Sequence, residues 1–190
     1  MRPSAGSAFD AEGRRKYLSN AEGRKFLHNA VNLRKEQALF CLTIYYSGCR
    51  ISEALNLRLK DIDLETKVIL IRSLKKRQKR EMRRIPVPEF LVKELVGMVT
   101  TMEENWPLWP FSRTTGWRII KGVMKTAQIS GIHATPKGLR HGFGVRSAMM
   151  QIPTSLIQNW MGHADSKTTQ VYAHYQPSER EAEAVDRAFG

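Results

Sequence analysis

Arg50 and Arg140 sit in settings unlike those of the other arginines, and the face that carries Arg140 would suit an anion. Arg140 shares a helix-like stretch with Lys137 and His141, and positions i, i+3 and i+4 fall on one face, so an ammonium, a guanidinium and an imidazole are presented together. Arg50 lies in the break Ser47-Gly48-Cys49-Arg50-Ile51-Ser52-Glu53. A denser block follows: Arg72, Lys75, Lys76, Arg77, Lys79, Arg80, Arg83 and Arg84 stand against the single acid Glu81, a net charge of +7 over residues 72–84. Guanidiniums make paired N–H contacts with phosphate oxygens, and a cationic block follows a phosphate backbone. Downstream, Met161-Gly162-His163 and Thr168-Thr169-Gln170-Val171-Tyr172-Ala173-His174-Tyr175 add a histidine donor and two phenols, which are nucleophiles for phosphorus. Each feature has a plainer reading taken singly: a solvated loop, a surface helix with scattered charge, a tyrosine that packs.

The elements that must position these groups are mostly helical. Ser19-Asn20-Ala21-Glu22 has the capping pattern Ser-x-x-Glu and opens a helix over residues 20–31. Apolar spacing predicts further helices over 36–47, 51–57, 89–100, 114–131, 137–149, 154–161 and 167–173, punctuated by prolines. The β-branched run at 67–72 pairs with 83–87 as a hairpin across the basic block, and Lys60-Asp61-Ile62-Asp63 reads as a turn. The fold class expected is therefore mainly α with a small antiparallel β-sheet, an α+β domain. Residues 1–16 read as a flexible lead-in, 17–176 as the domain proper and 177–190 as a helical tail, with Ala182, Val185, Ala188 and Phe189 on one side, that packs internally or docks on a neighbouring protomer.

With 190 residues, 31 Lys and Arg against 18 Asp and Glu, and a net charge of +13, the chain fits one domain with a polyanionic partner. No run approaches the roughly 18 apolar residues that cross a bilayer, and no signal peptide is evident, so a cytosolic location is expected. Cys41 and Cys49 read as buried packing residues. Neither HExxH nor CxxC nor GxxxxGK[ST] occurs, which leaves zinc and P-loop chemistry without support. Glu53, Asp61 and Asp63 read as salt-bridge or turn formers, and Trp106, Trp109 and Trp117 as packing residues.

Taken together and in order, Ser-Gly-Cys-Arg-Ile-Ser-Glu around Arg50, Thr-Pro-Lys-Gly-Leu-Arg-His around Arg140, Met-Gly-His at His163 and Thr-Thr-Gln-Val-Tyr-Ala-His at Tyr172 resemble the tyrosine recombinase (phage integrase) family over residues 17–176. The resemblance implies a catalytic set of Arg50, a hairpin lysine, Lys137, Arg140, His163 and Tyr172. Lys75, directly after the first strand, is preferred as the hairpin lysine and Lys76 is the alternative. Lys137 departs from the family pattern, where histidine is commoner, and a lysine is no neutral base near pH 7 unless its pKa is strongly lowered. Tyr175 is the rival nucleophile, and His141 and His174 read as structural or supporting groups.

The implied activity is DNA integration, excision or inversion through a covalent 3′-phosphotyrosyl intermediate, with no cofactor and no metal. Arg72, Lys76, Arg77, Lys79, Arg80, Arg83 and Arg84 are expected on double-stranded DNA. The implied assembly is a homo-tetramer on synapsed DNA, with accessory DNA-bending proteins, near the nucleoid of a prokaryotic cell and without a membrane. Two other functions stay open: type IB topoisomerase-like relaxation, and a catalytically decayed DNA-binding protein. Few residues precede the catalytic-type region, so the chain is either a short recombinase of the fimbrial-switch kind, which Met1 favours, or the catalytic part of a longer protein that carries a core-binding domain.

Overall fold

A computed structural model describes residues 8–73, 82–98, 105–162, 169, 172 and 175. The chain runs α1 (Asn20–Ala30), α2 (Lys35–Ser47), α3 (Ile51–Leu55), a 3-10 turn (Leu59–Asp61), β1 (Ile62–Asp63), β2 (Val68–Arg72), β3 (Met82–Pro86), α4 (Glu89–Gly97), α5 (Arg113–Thr126), α6 (Pro136–Met149) and α7 (Thr154–Met161). It is mostly helical with one antiparallel three-stranded sheet of order β1-β2-β3.

Helix starts follow the capping chemistry. Glu22 N–H donates to Ser19 Oγ at 3.2 Å while Ser19 N–H donates to Glu22 Oε2 at 2.8 Å, the reciprocal box at the head of α1. Thr135 caps α6 through Gly138 N–H at 3.1 Å, with Pro136 at the first helical position. Residues 38–45 of α2 are buried without a break, so this helix runs through the middle of the core. Phe40 packs edge-on against Trp109 and Phe111, and Trp109 donates its indole N–H to Ala54 O at 2.8 Å, fastening α3 to the core.

Ile69 faces Ile85 and Ile71 faces Arg83 across β2 and β3, and all four side chains are buried. A smaller apolar cluster joins α6, α7 and the ring of Tyr172: Phe143, Val145, Ala148, Ile157, Met161 and Tyr172.

Three expectations are corrected. The turn expected at 60–63 contains β1, which adds a third strand to the hairpin by pairing Ile62 with Ile69. The helix expected over 114–131 stops at Thr126, and Gln128 takes a left-handed φ of 56° that breaks it. Within the lead-in, residues 8–16 are placed rather than loose: Ala8 is buried, and Asp10 accepts backbone N–H bonds from Glu12 and Arg14 at 3.1 and 2.7 Å. The helix expected over 167–173 and the tail 177–190 lie outside the described residues or are described only at isolated positions.

Candidate active site

The site is built where α2 ends. Gly48 closes that helix at φ 60°, and a Cβ there would lie 2.3 Å from Phe143 Cδ1, so the turn demands glycine. Two residues on, Arg50 caps α3: its N–H donates to Glu53 Oε2 and its Nη1 to Glu53 Oε1, both at 2.8 Å. Its side chain is 37% exposed.

Arg140 reaches the same place from α6. Its Nη1 donates to Gly48 O at 2.7 Å and its Nη2 to Met161 O. Arg83 arrives from β3, with Nη1 donating to Trp160 O at 2.9 Å and Nη2 lying 2.8 Å from Glu53 Oε2. Arg50 Nη2 adds a long contact of 3.5 Å to Gly162 O. Three guanidiniums from three elements thus converge on three successive carbonyls at the C-terminal end of α7, where a helix leaves its carbonyls unsatisfied and its dipole is negative.

Glu53 is the acid inside this group, and its formal charge leaves two of the three positive charges uncompensated. Burial raises the pKa of its carboxyl, but Arg83, the Arg50 N–H and the Arg50 and Arg140 charges outweigh that and hold it below the usual value. Burial, and then Arg50, push Arg140 down to about 10, so it stays protonated at neutral pH. Guanidiniums held in place by the protein and partly withdrawn from water stabilise an anion more strongly than the same groups would in water.

Tyr172 lies on the other side of Arg140. Its ring is 1% exposed, in the cluster between α6 and α7, and the seat exists because residue 144 is glycine: a Cβ there would lie 2.5 Å from Tyr172 Cζ. Its hydroxyl is 2.8 Å from Nδ1 of His141, the residue after Arg140. Burial, then Lys137, Arg140 and Lys16, depress the His141 pKa to about 4, so the ring is neutral at pH 7. Burial pushes the Tyr172 phenol up to about 12, with Arg140 opposing. Tyr175 goes elsewhere: it packs edge-on against Tyr17 at 5.4 Å, and burial followed by Tyr17 pushes its pKa up.

Of the residues singled out in the sequence, the structure brings Arg50, Arg140 and Tyr172 around the C-terminal end of α7 and the N-terminal half of α6, with Lys137 exposed one turn before Arg140 on the same helix. Lys75, Lys76, Arg77, Lys79, Arg80 and His163 lie outside the described residues. Arg72 and Arg84 are exposed at the hairpin, Arg72 beside Asp61 at 3.0 Å and Arg84 beside Asp63 at 3.8 Å. Arg83 is the correction: expected on DNA, it is 2% exposed and turned into the core, because it shares its strand face with buried Ile85. Among the described residues, no group of three or more His, Cys, Asp or Glu side chains is placed to hold a metal ion.

The sequence pattern of the phage integrase family matches residues 16–179, which include Arg50, Lys137, Arg140, His163 and Tyr172. The chain belongs to the phage integrase family. It is 31% identical over 183 residues to tyrosine recombinase XerA of Pyrococcus furiosus, covering 91% of this chain and 62% of that protein. It is 30% identical over 169 residues to the type 1 fimbriae regulatory protein FimB of Escherichia coli K12, covering 84% of each. The chain therefore spans less than two thirds of the XerA relatives but most of FimB. Among solved structures, a crystal structure of XerA recombinase superposes with a TM-score of 0.73 at 26% identity, covering 92% of this chain and 65% of that one. The catalytic domain of bacteriophage HP1 integrase, at 20% identity and a TM-score of 0.69, shares the fold over 90% of this chain and 93% of its own.

Sequence reasoning left part of this integrase-type site unread. Glu53 was visible only as an i, i+3 partner of Arg50, whereas its second oxygen belongs to Arg83, 30 residues away. His141 carried no signal beyond its place beside Arg140. Gly144 and Gly162 carried none, since what they make room for arrives from distant parts of the chain.

Proposed function

We propose that this chain cuts and rejoins DNA strands as a site-specific recombinase, with Tyr172 as the nucleophile. The observation that carries the reading is the Tyr172 hydroxyl 2.8 Å from His141, next in sequence to an arginine that shares the α7 end with Arg50.

In this mechanism Arg50 and Arg140 bind the non-bridging oxygens of the scissile phosphate and stabilise them most as charge builds during attack. Each guanidinium has five N–H groups, and those not spent on Glu53 or the backbone carbonyls remain for the anion. His163 adds a hydrogen bond to the same oxygens. Tyr172 Oη forms a bond to phosphorus as the bond to the 5′ oxygen breaks; Lys75, or Lys76, protonates that oxygen, and the phenol proton passes to water, since His141, at a pKa of about 4, holds the resting phenol by a hydrogen bond and is too weak a base to take its proton. An incoming 5′-hydroxyl reverses the step. Lys137, exposed one turn before Arg140, adds a donor to the phosphate.

Tyr172, at 1% exposure, does not reach a phosphate in this arrangement, so docking on DNA has to bring the phenol out of its seat. A phenol raised to about 12 also stays protonated at neutral pH while it is held in that seat. Exchange between two duplexes requires two cuts in each, which makes a tetramer of this chain on synapsed DNA the working unit. Arg72 and Arg84, with Lys76, Arg77, Lys79 and Arg80, hold the duplex backbone.

The test uses nicked duplexes tiled across the DNA flanking the gene, incubated with protein in EDTA and resolved on denaturing gels. Wild-type protein is expected to form a covalent 3′-linked adduct, and Tyr172→Phe to bind the same DNA without forming it. Adduct formed equally by Tyr172→Phe overturns the assignment.

A further inference from the structure

We propose that Arg83 is a positioning residue for the phosphate site: from beneath, it fixes the Glu53 carboxylate and the carbonyl end of α7, and so sets the direction of the Arg50 guanidinium, without touching DNA. The inference rests on the recombinase reading above and concerns how its anion site is held.

The position of Arg83 in the sheet is one that an apolar side chain would fill. It faces Ile71 across the ladder, shares its strand face with Ile85, and is 2% exposed. A guanidinium there is costly unless it is paired. Its partners are Glu53 Oε2 at 2.8 Å and Trp160 O at 2.9 Å, and its head occupies the space of the side chain that residue 162 lacks: a Cβ on Gly162 would lie 2.4 Å from Arg83 Nη1.

Glu53 divides its oxygens, Oε1 to Arg50 Nη1 and Oε2 to the Arg50 N–H and to Arg83. Remove Arg83, and a buried carboxylate is left with Arg50 as its one ion-pair partner on this side. It would then turn the Arg50 guanidinium out of the direction in which it meets the charge that builds on the reacting phosphate, without removing its positive charge from the site. With Arg83 in place the carboxylate is neutralised from below, and the partly exposed Arg50 keeps that direction.

The test compares full-length wild type with Arg83→Met and Arg83→Lys on the duplex that wild type cleaves, with circular dichroism to establish folding. If Arg83→Met does not fold, Arg83→Gln, which can still donate to Trp160 O but no longer sets a charge against Glu53, takes its place with the same expected outcomes. Expected for Arg83→Met are an unchanged DNA affinity, an unchanged slope of affinity against salt, and single-turnover cleavage slower by about 10- to 100-fold. Arg83→Lys, which still pairs with Glu53, recovers part of that rate. On a duplex whose scissile phosphate is a neutral methylphosphonate, where a guanidinium has less charge to stabilise, the penalty of Arg83→Met shrinks several-fold.

A salt slope lower by about 0.9 would make Arg83 a phosphate contact and overturn the proposal. Equal slowing on both substrates, or no slowing, overturns it as well. Wild type that cleaves no duplex is a different outcome and rejects the recombinase reading itself.

Discussion

His141 is the residue on which pH acts most directly. Its folded pKa of about 4 lies below the ordinary value of 6.5, so the unfolded chain binds a proton between those values and the folded chain does not. Stability is therefore full above about pH 6.5 and falls as the pH drops toward 4, by up to about 3 kcal/mol from this group. Glu53, also depressed, adds loss at the acidic end. Thermal unfolding of wild type and His141→Asn between pH 7 and 4 checks this: the variant should show a shallower decline, and an identical decline would remove His141 as its source. Arg50, Arg140 and Tyr172, which the structure brings close together, stood out in the sequence through the ordered motifs that resemble the family pattern. Arg83 was misread as a DNA contact because charge was counted before strand alternation; its parity with Ile85 already pointed inward.

At the scale of elements, glycines decide how closely α2, α6 and α7 approach the arginine cluster. Gly48 combines φ 60° with a Phe143 ring 2.3 Å from a would-be Cβ, so Gly48→Ala should cost about 2–4 kcal/mol. Gly122, inside α5 with nothing within 4 Å of a Cβ, should instead gain about 0.5–1 kcal/mol as alanine. Urea unfolding of the two variants checks the contrast, and equal effects would contradict the packing described. Helices with clear caps and apolar spacing were readable, as residues 154–161 of α7 show. The end of α5 was not, because Gln128 takes the left-handed cap position that glycine usually fills, with Gln128 N–H on Lys125 O at 3.0 Å and Ile129 N–H on Met124 O at 2.8 Å, while Gly131 offered a false stop. Strand β1 was missed because two residues carry no periodicity; its pairing with β2 makes it a strand.

For the whole molecule, a net charge of +13 makes DNA affinity a matter of salt. Binding to a non-cognate duplex should weaken by more than about tenfold between 50 and 200 mM salt, since even three neutralised phosphates give a slope near −2.7. Fluorescence anisotropy across that range checks it, and a flat response would mean that the basic hairpin does not contact the backbone. The fold class was legible from the mixture of helical and alternating patterns, and the arginine cluster was not, because it assembles from Arg50, Arg83 and Arg140, whose meeting at one helix end is a property of the tertiary structure.

The central claim is that Tyr172, and not Tyr175 three residues on, attacks the phosphate. The most direct measurement is to trap the covalent protein–DNA adduct on a nicked duplex, digest it with protease and nuclease, and locate the nucleotide-bearing residue by mass spectrometry. The account predicts a nucleotide on Tyr172, the phenol seated against α6 beside His141. A nucleotide on Tyr175, or on any other residue, would contradict it.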